Sequence, residues 1–442
     1  MGNTLKIGYG RCDITPEEHV HLTGYGNDSV RLSEAFRDKI MATCLAFTDE
    51  ENNTVLLFTT DTMATYDGVT GPVRQAIAEE HGLPFENVQV ASTHTHSAPA
   101  ISMNTPAMAG YRAKYAEGLK EAARKALADR AAGHIYVGNT YTEDMNFIRH
   151  YKMADGTFAG ANFGSWASGV VGHTSQPDTN LQVVKFVRPG TKDIVLVNYQ
   201  AHPCFTGGID KKVLSADYIG DLRSFVEEKT GAKFAFFQGA AGNHNGTSFD
   251  AKEVVTKDSK EYGEMLGGYV LKALRCTRSV IGDMTVKAVR RDMDLELDHS
   301  DDHLVEEAEK IQVIWRETYD RPRCNELAKA IGQNSVYALG HIVTRAGRGQ
   351  REIMPIYALR VGPLGFACAP YEMFGESGMH IKEWAPYAVT VVVSMCNDYR
   401  NYLATRLAFS HGCYEVDSRR YPAGTAELLA DNFVDMLKEL KK

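Results

Sequence analysis

The segment Ala91–Pro99, ASTHTHSAP, carries two histidines one residue apart, His94 and His96, among serine and threonine hydroxyls. It follows a short apolar run, Asn87–Ser92, that reads as a buried strand, so the pair falls at or just beyond a strand's C-terminal end. Side chains two apart on extended backbone face the same way, about 6–7 Å apart. Both imidazoles can then serve one metal ion or one substrate; a hydrogen-bonded structural pair is the bland alternative. His202, in NYQAHPCFTGG (Asn198–Gly208), ends another apolar strand, Ile194–Gln200, before a proline and a double glycine that force a turn. Histidines at comparable strand ends can converge at the sheet edge where α/β clefts form. FFQGAAGNHNG (Phe236–Gly246) runs from a buried strand through Gly242 to Asn243, His244 and Asn245. Small residues there let a ligand approach backbone N–H groups, with a plain glycine turn as the alternative. Glu372, in APYEMFGESG, and Tyr399 and Tyr402, in MCNDYRNYLAT, also follow apolar strands. Singly, each reads as an ordinary loop carboxylate or packing ring.

The elements that must position these groups alternate in type. Val55–Thr60, His134–Gly138, Leu181–Val187, Lys233–Gln238 and Val389–Ser394 read as strands. Pro72–His81, Tyr111–Ala132, Tyr218–Lys229, Lys257–Cys276 and Thr425–Lys442 read as helices. Met284–Leu297 alternates apolar and polar residues like an antiparallel strand with one wet face, and Ile353–Ala369 like a hairpin turning at Gly362–Pro363. The charged stretch Asp301–Ile331 is expected to be a helical excursion that covers or gates a cleft. The pattern predicts an α/β fold of mixed sheets flanked by helices, with residues 1–442 as a single catalytic body.

Net charge narrows the partners. With 48 Lys+Arg against 56 Asp+Glu, the chain is at −8, without the basic footprint of a nucleic-acid binder. Its eight cysteines are scattered with no CxxC, which predicts free thiols in a reducing compartment. No signal peptide or apolar run of ~18 residues is visible, so a cytoplasmic location without membrane insertion is expected. Nothing in the sequence opposes homo-oligomers.

In order and spacing, these segments resemble the catalytic domain of the neutral/alkaline non-lysosomal ceramidases. The match runs through GYGRCDITP (Gly8–Pro16), the Gly24–Tyr25–Gly26 turn, TTDTM (Thr59–Met63), THTHSAP (Thr93–Pro99), NYQAHP (Asn198–Pro203) and SADYIG (Ser215–Gly220). It continues in QGAAGN (Gln238–Asn243), YEMFGE (Tyr371–Glu376), NDYRNYLAT (Asn397–Thr405) and GCYEV (Gly412–Val416). The resemblance implies one zinc ion held by His94, His202, Glu372 and Tyr402, with His96 for acid–base work. It implies that Arg149, in NFIR, binds the substrate's polar group and that Asp61 and Asp217 orient ligands from behind; Gly242, Asn243, His244, Asn245 and Tyr399 are expected to contact substrate from their places after the strands. Two departures stand out. Family members carry an acidic residue and then a serine after the glycine loop, where this chain has Asn243–His244–Asn245. The immunoglobulin-like C-terminal domain of full ceramidases has no counterpart after GCYEV.

The expected activity is therefore zinc-dependent hydrolysis of a carboxamide bond, in a small or lipid-like N-acylated substrate, by metal-activated water. An ester, lactone or glycosidic bond would need the same ligands, and a non-catalytic binding protein could keep the fold. A barrel-type amidohydrolase also uses an HxH pair, but on its first strand, whereas here an earlier strand precedes residues 94–96.

Overall fold

The structure, a computed structural model, describes residues 5–26, 28–160, 169–208, 211–250, 253–255 and 258–442. The main strands are β1 (Leu5–Asp13), β2 (Met41–Thr48), β3 (Thr54–Thr60), β4 (Val88–Ser92), β5 (Ala131–Tyr141), β6 (Asn180–Val187), β7 (Ile194–Tyr199) and β8 (Lys233–Gln238). There follow β9 (Val286–Glu296), β10 (Arg351–Val361), β11 (Leu364–Cys368), β12 (Glu372–Met373), β13 (Val389–Val393) and β14 (Tyr402–Leu403). The helices that frame them are α1 (Asp67–His81), α2 (Pro106–Ala128), α3 (Tyr218–Thr230), α4 (Ser259–Arg275), α5 (Val305–Thr318), α6 (Arg321–Ala330), α7 (Val336–Ala346), α8 (Gly375–Trp384) and α9 (Thr425–Lys441).

Strands β1 to β8 form a mixed sheet in the order β8-β7-β6-β5-β1-β2-β3-β4, parallel at β7–β8 and β3–β4. Strands β9-β10-β11-β13 form a second mixed sheet, parallel at β11–β13. The two sheets pack face to face. In β2, Leu45 and Phe47 join Phe186, Leu359 and Phe366 in the core between the sheets, while Ala42, Cys44 and Ala46 turn to the helices. This two-sided burial explains why VLLFTT reads as a continuous apolar run rather than an alternation. Helices α1 to α4 cover the outer face of the large sheet, and α8 and α9 that of the small one, so the body is a four-layered sandwich. All eight cysteines are free. Among the described residues, no helix is long and apolar enough to cross a membrane.

Three boundaries differ from the sequence reading. Helix α2 starts earlier, at a Thr105 cap followed by Pro106, and stops at Ala128 because Ala131–Gly133 pair with Leu5–Ile7. Helix α1 starts at Asp67 and continues through Pro72. The helical excursion does not end at Ile331: α7 extends it, and α5, α6 and α7 share a core of Ala308, Ile311, Trp315, Cys324, Leu339 and Ile342. The start of α4 at Ser259 lies inside the expected helix, whose first residue, Lys257, is outside the described residues.

Helix α2 lies directly on β1, and two glycines make that approach feasible. A Cβ at Gly8 or Gly10 would stand 1.9 Å from the carbonyl oxygen of Ala126 or Ala122. Backbone cannot yield as a side chain can, so Gly10→Ala is expected to cost about 3 kcal/mol of stability. A lower urea midpoint at unchanged slope checks this.

Candidate metal centre

Strand β4 ends at Ser92, and the chain then leaves extended geometry. Thr93 and His94 donate their N–H groups to Thr60 and Thr62 carbonyls, and His94 adopts φ +70°, a region that non-glycine residues seldom enter. Simple strand alternation therefore does not bring His94 and His96 together; this kink does. Their Nε2 atoms are 3.3 Å apart. His202 follows β7, and Glu372 lies in β12, reached from the other sheet.

Three acceptor atoms meet. His94 Nε2 is 3.2 Å from His202 Nε2, and each is 3.1 Å from Glu372 Oε2. The far nitrogens explain why these are bare. His94 Nδ1 sits 2.7 Å from the Met63 carbonyl, and His202 Nδ1 is 2.8 Å from that of Ala241, so in both rings Nδ1 carries the proton and donates it. The Nε2 lone pairs then face each other and a carboxylate oxygen that has no hydrogen-bond partner of its own. Buried lone pairs at this spacing repel unless a cation lies between them. A tetrahedral zinc with bonds of about 2.0–2.2 Å sets its donors about 3.3–3.5 Å apart, and the donor set of imidazoles and carboxylate suits it. The residues fit such an ion.

Burial favours the neutral form of the His202 and His96 rings. The His202 pKa is pushed down to about 4 by burial and by the Arg149 charge, and His96 is driven well below its usual range by burial and its two neighbouring rings. Tyr399 donates to Glu372 Oε1 at 2.6 Å, fixing the carboxylate from the other side. Tyr402 pairs with Glu372 in the β12–β14 ladder, and the Arg149 guanidinium lies 5.4 Å from its ring centre.

The centre opens into a cavity of about 750 Å³. Its floor includes His94, His96, Arg149, Asn245, Glu372, Tyr399 and Tyr402; helices α5 and α7 roof it through Trp315, Tyr337 and His341. Of the stretch 301–331, Gln312 and Trp315 on α5 line this cavity, and α7, beyond that stretch, adds Tyr337, Gly340, His341 and Thr344.

Several expected substrate contacts are elsewhere. Gly242, Asn243 and His244 do not line the cavity; they are buried and packed behind the strand that carries Glu372. Gly242 donates its N–H to the Met373 carbonyl at 2.7 Å, so this N–H is not free for an oxyanion, and a Cβ there would stand 2.8 Å from the backbone carbonyl oxygen of Glu372. Asn243 takes the Gly375 N–H and donates to Glu376, while His244 accepts the Asp178 N–H. Only Asn245 of that run reaches the cavity. Asp61 touches neither histidine: it binds Arg223 and the Met41 N–H, and the carbonyl two residues on, at Met63, is what orients His94. Asp217 caps α3 and accepts from Thr206, bracing the turn after His202.

Arg149 is less free than its expected role required. Its Nε lies 2.6 Å from Glu415 Oε1, and the other oxygen of Glu415 is 2.6 Å from His150 Nε2. Glu415 is fully buried, yet the Arg149 guanidinium and the His150 ring beside it hold its carboxyl far below the usual range. The sequence signal existed, since Glu415 lies within GCYEV, but nothing in a linear reading linked it to Arg149.

Comparison with known proteins agrees with this fold. The family profile for neutral/alkaline non-lysosomal ceramidase, N-terminal, matches residues 5–240, more than half of the chain. The fold is similar to the crystal structure of neutral ceramidase from Pseudomonas aeruginosa, with a TM-score of 0.74 at 18% identity, over 99% of this chain and 74% of that one. A structure described as ceramidase complexed with C2 matches equally, at 0.74 and 18%, over 99% and 75%. No curated protein matches by sequence.

Proposed function

Because this chain belongs to the neutral/alkaline non-lysosomal ceramidase family, we propose that it is a zinc-dependent hydrolase that cleaves the carboxamide bond of an N-acylated substrate. The observation that carries this reading is the convergence of two Nε2 lone pairs and a carboxylate oxygen within 3.1–3.2 Å, with the ring protons engaged elsewhere. His94, His202 and Glu372 would hold the ion, with Tyr402 beside them. When bound, zinc supplies Lewis acidity and brings the pKa of a water molecule from 15.7 toward about 7.

The chain's own groups divide the remaining work. His96 differs from the other two rings in that its Nδ1 has no partner among the described residues. An untethered, neutral imidazole suits proton transfer: Nε2 accepts a proton from the attacking water and returns it to the leaving nitrogen as the C–N bond breaks. Arg149 adds positive charge beside the developing oxyanion, its position fixed by Glu415. At 243–245 no hydroxyl replaces the family serine, so water is the economical nucleophile.

The test is direct. Purified protein should contain one zinc per chain, lose hydrolysis of N-acyl amides on chelation and regain it on zinc addition. Full activity in metal-free protein would overturn the proposal. Tyr399→Phe, which removes one hydrogen bond from Glu372, is expected to weaken zinc binding by roughly 10–100-fold, read by competition with a chromophoric chelator.

A further inference from the structure

Helix α7 presents Tyr337, Gly340, His341 and Thr344 to the cavity, the stripe that helical spacing of three and four residues produces. His341 is the member with an unused donor. Asn401 Nδ2 lies 3.3 Å from both the Ser418 carbonyl and His341 Nδ1. The carbonyl fixes the orientation of the amide, because Asn401 Oδ1 turned toward it would be repelled. The second amide hydrogen must then point at His341 Nδ1, which accepts it. The ring proton is left on Nε2, an atom with no hydrogen-bond partner among the described residues, on a ring that lines the cavity. Burial and the charges of Arg345 and Arg420 push the His341 pKa down to about 4, so the ring is neutral at neutral pH. Its roof neighbours direct their donors into the protein: Gln312 to the Val336 carbonyl, Thr344 to that of Gly340. Asn401 also accepts the Glu372 N–H at 2.9 Å through its own carbonyl, so one residue grips both the metal-binding strand and the roof imidazole.

We propose that His341 Nε2–H donates a hydrogen bond to an oxygen of the substrate away from the scissile group, so that the cavity selects amides bearing such an acceptor over plain alkyl amides. The selection rests on the hydrolase reading above, and a hydroxyl on either half of the substrate would supply the oxygen. Three probes separate the sources: N-propyloctanamide, N-(hydroxyethyl)octanamide with the hydroxyl on the amine half, and N-propyl-α-hydroxyoctanamide with it on the acyl half. One hydroxylated amide is expected to exceed N-propyloctanamide by roughly tenfold in kcat/KM, chiefly through KM. In His341→Phe that ratio should fall to about one, and His341→Gln, whose amide nitrogen can reach a similar point, should restore part of it. A wild-type protein that turns over all three equally, or a preference that survives in His341→Phe, overturns the proposal. Long-range proton–nitrogen spectra of zinc-loaded protein with isotopically labelled histidine give a readout independent of turnover. They should show His341, assigned by its loss in His341→Phe, as the Nε2–H tautomer, shifting when N-(hydroxyethyl)octanamide or N-propyl-α-hydroxyoctanamide is added. An Nδ1–H tautomer overturns the proposal. The expected tautomer and shift in protein that hydrolyses none of the amides would sink the hydrolase reading and leave the recognition site standing.

Discussion

His202→Ala is expected to strip the protein of zinc and lower turnover of an N-acyl amide by at least roughly a thousandfold. His202 contributes one of the lone pairs at the centre and is 1% exposed, so no water-exposed neighbour stands ready to replace it. The substitution also deprives the Ala241 carbonyl of its donor, which costs about 1–3 kcal/mol, so circular dichroism must first show a folded protein. His94→Ala should behave alike, through the Met63 carbonyl. His96→Ala separates the roles, because one ring nitrogen from each of the three histidines lies within 4.8 Å of the others. If His96 carries protons, its loss should reduce kcat by roughly 10²–10⁴-fold while zinc stays bound. Loss of zinc in His96→Ala would make it a ligand. Unchanged zinc content in both His94→Ala and His202→Ala would remove the basis of the proposed function.

The second large effect is on stability. Glu415→Gln keeps the side chain's shape but leaves Arg149, 5% exposed, and His150 without their shared anion. Breaking one member of a buried ionic group typically costs about 3–5 kcal/mol, because the surviving charge has lost its compensation. Urea denaturation should show a loss of that size, and kcat should fall as Arg149 moves. The same linkage has a pH signature. A carboxyl whose folded pKa lies below its unfolded value of about 4.3 stabilises the protein fully above that value, and the contribution fades as pH falls below it. Wild-type stability should therefore drop through the acid range, and the drop should be shallower in Glu415→Gln. An equal acid slope in both proteins would show that Glu415 does not carry this contribution.

Local sequence was sufficient for most elements because their burial patterns are strong. Lys233–Gln238 is one strand in both readings, and the hairpin at Gly362–Pro363 turns where proposed, between Val361 and Leu364. Local signals failed where tertiary packing decided. Ala131–Ala132 looks helical by composition, yet pairing with β1 draws it into the sheet. Glu372–Met373 and Tyr402–Leu403 are too short to show any period, and form a ladder only because folding brings them side by side.

The candidate ligands were legible as residue types at strand ends, and the family resemblance joined them from His94 to Tyr402, across the greater part of the chain. What the sequence could not contain was direction. The left-handed turn at His94, the carbonyls that assign each ring proton and the packing that hides Asn243 and His244 depend on groups remote in sequence. So do the capture of Arg149 by Glu415, and the Asn401 amide that turns the His341 proton toward the cavity. A linear pattern determines which donors and acceptors the chain owns. Only the folded backbone, by pairing some of them with one another, decides which lone pairs and protons are left to meet a metal or a substrate.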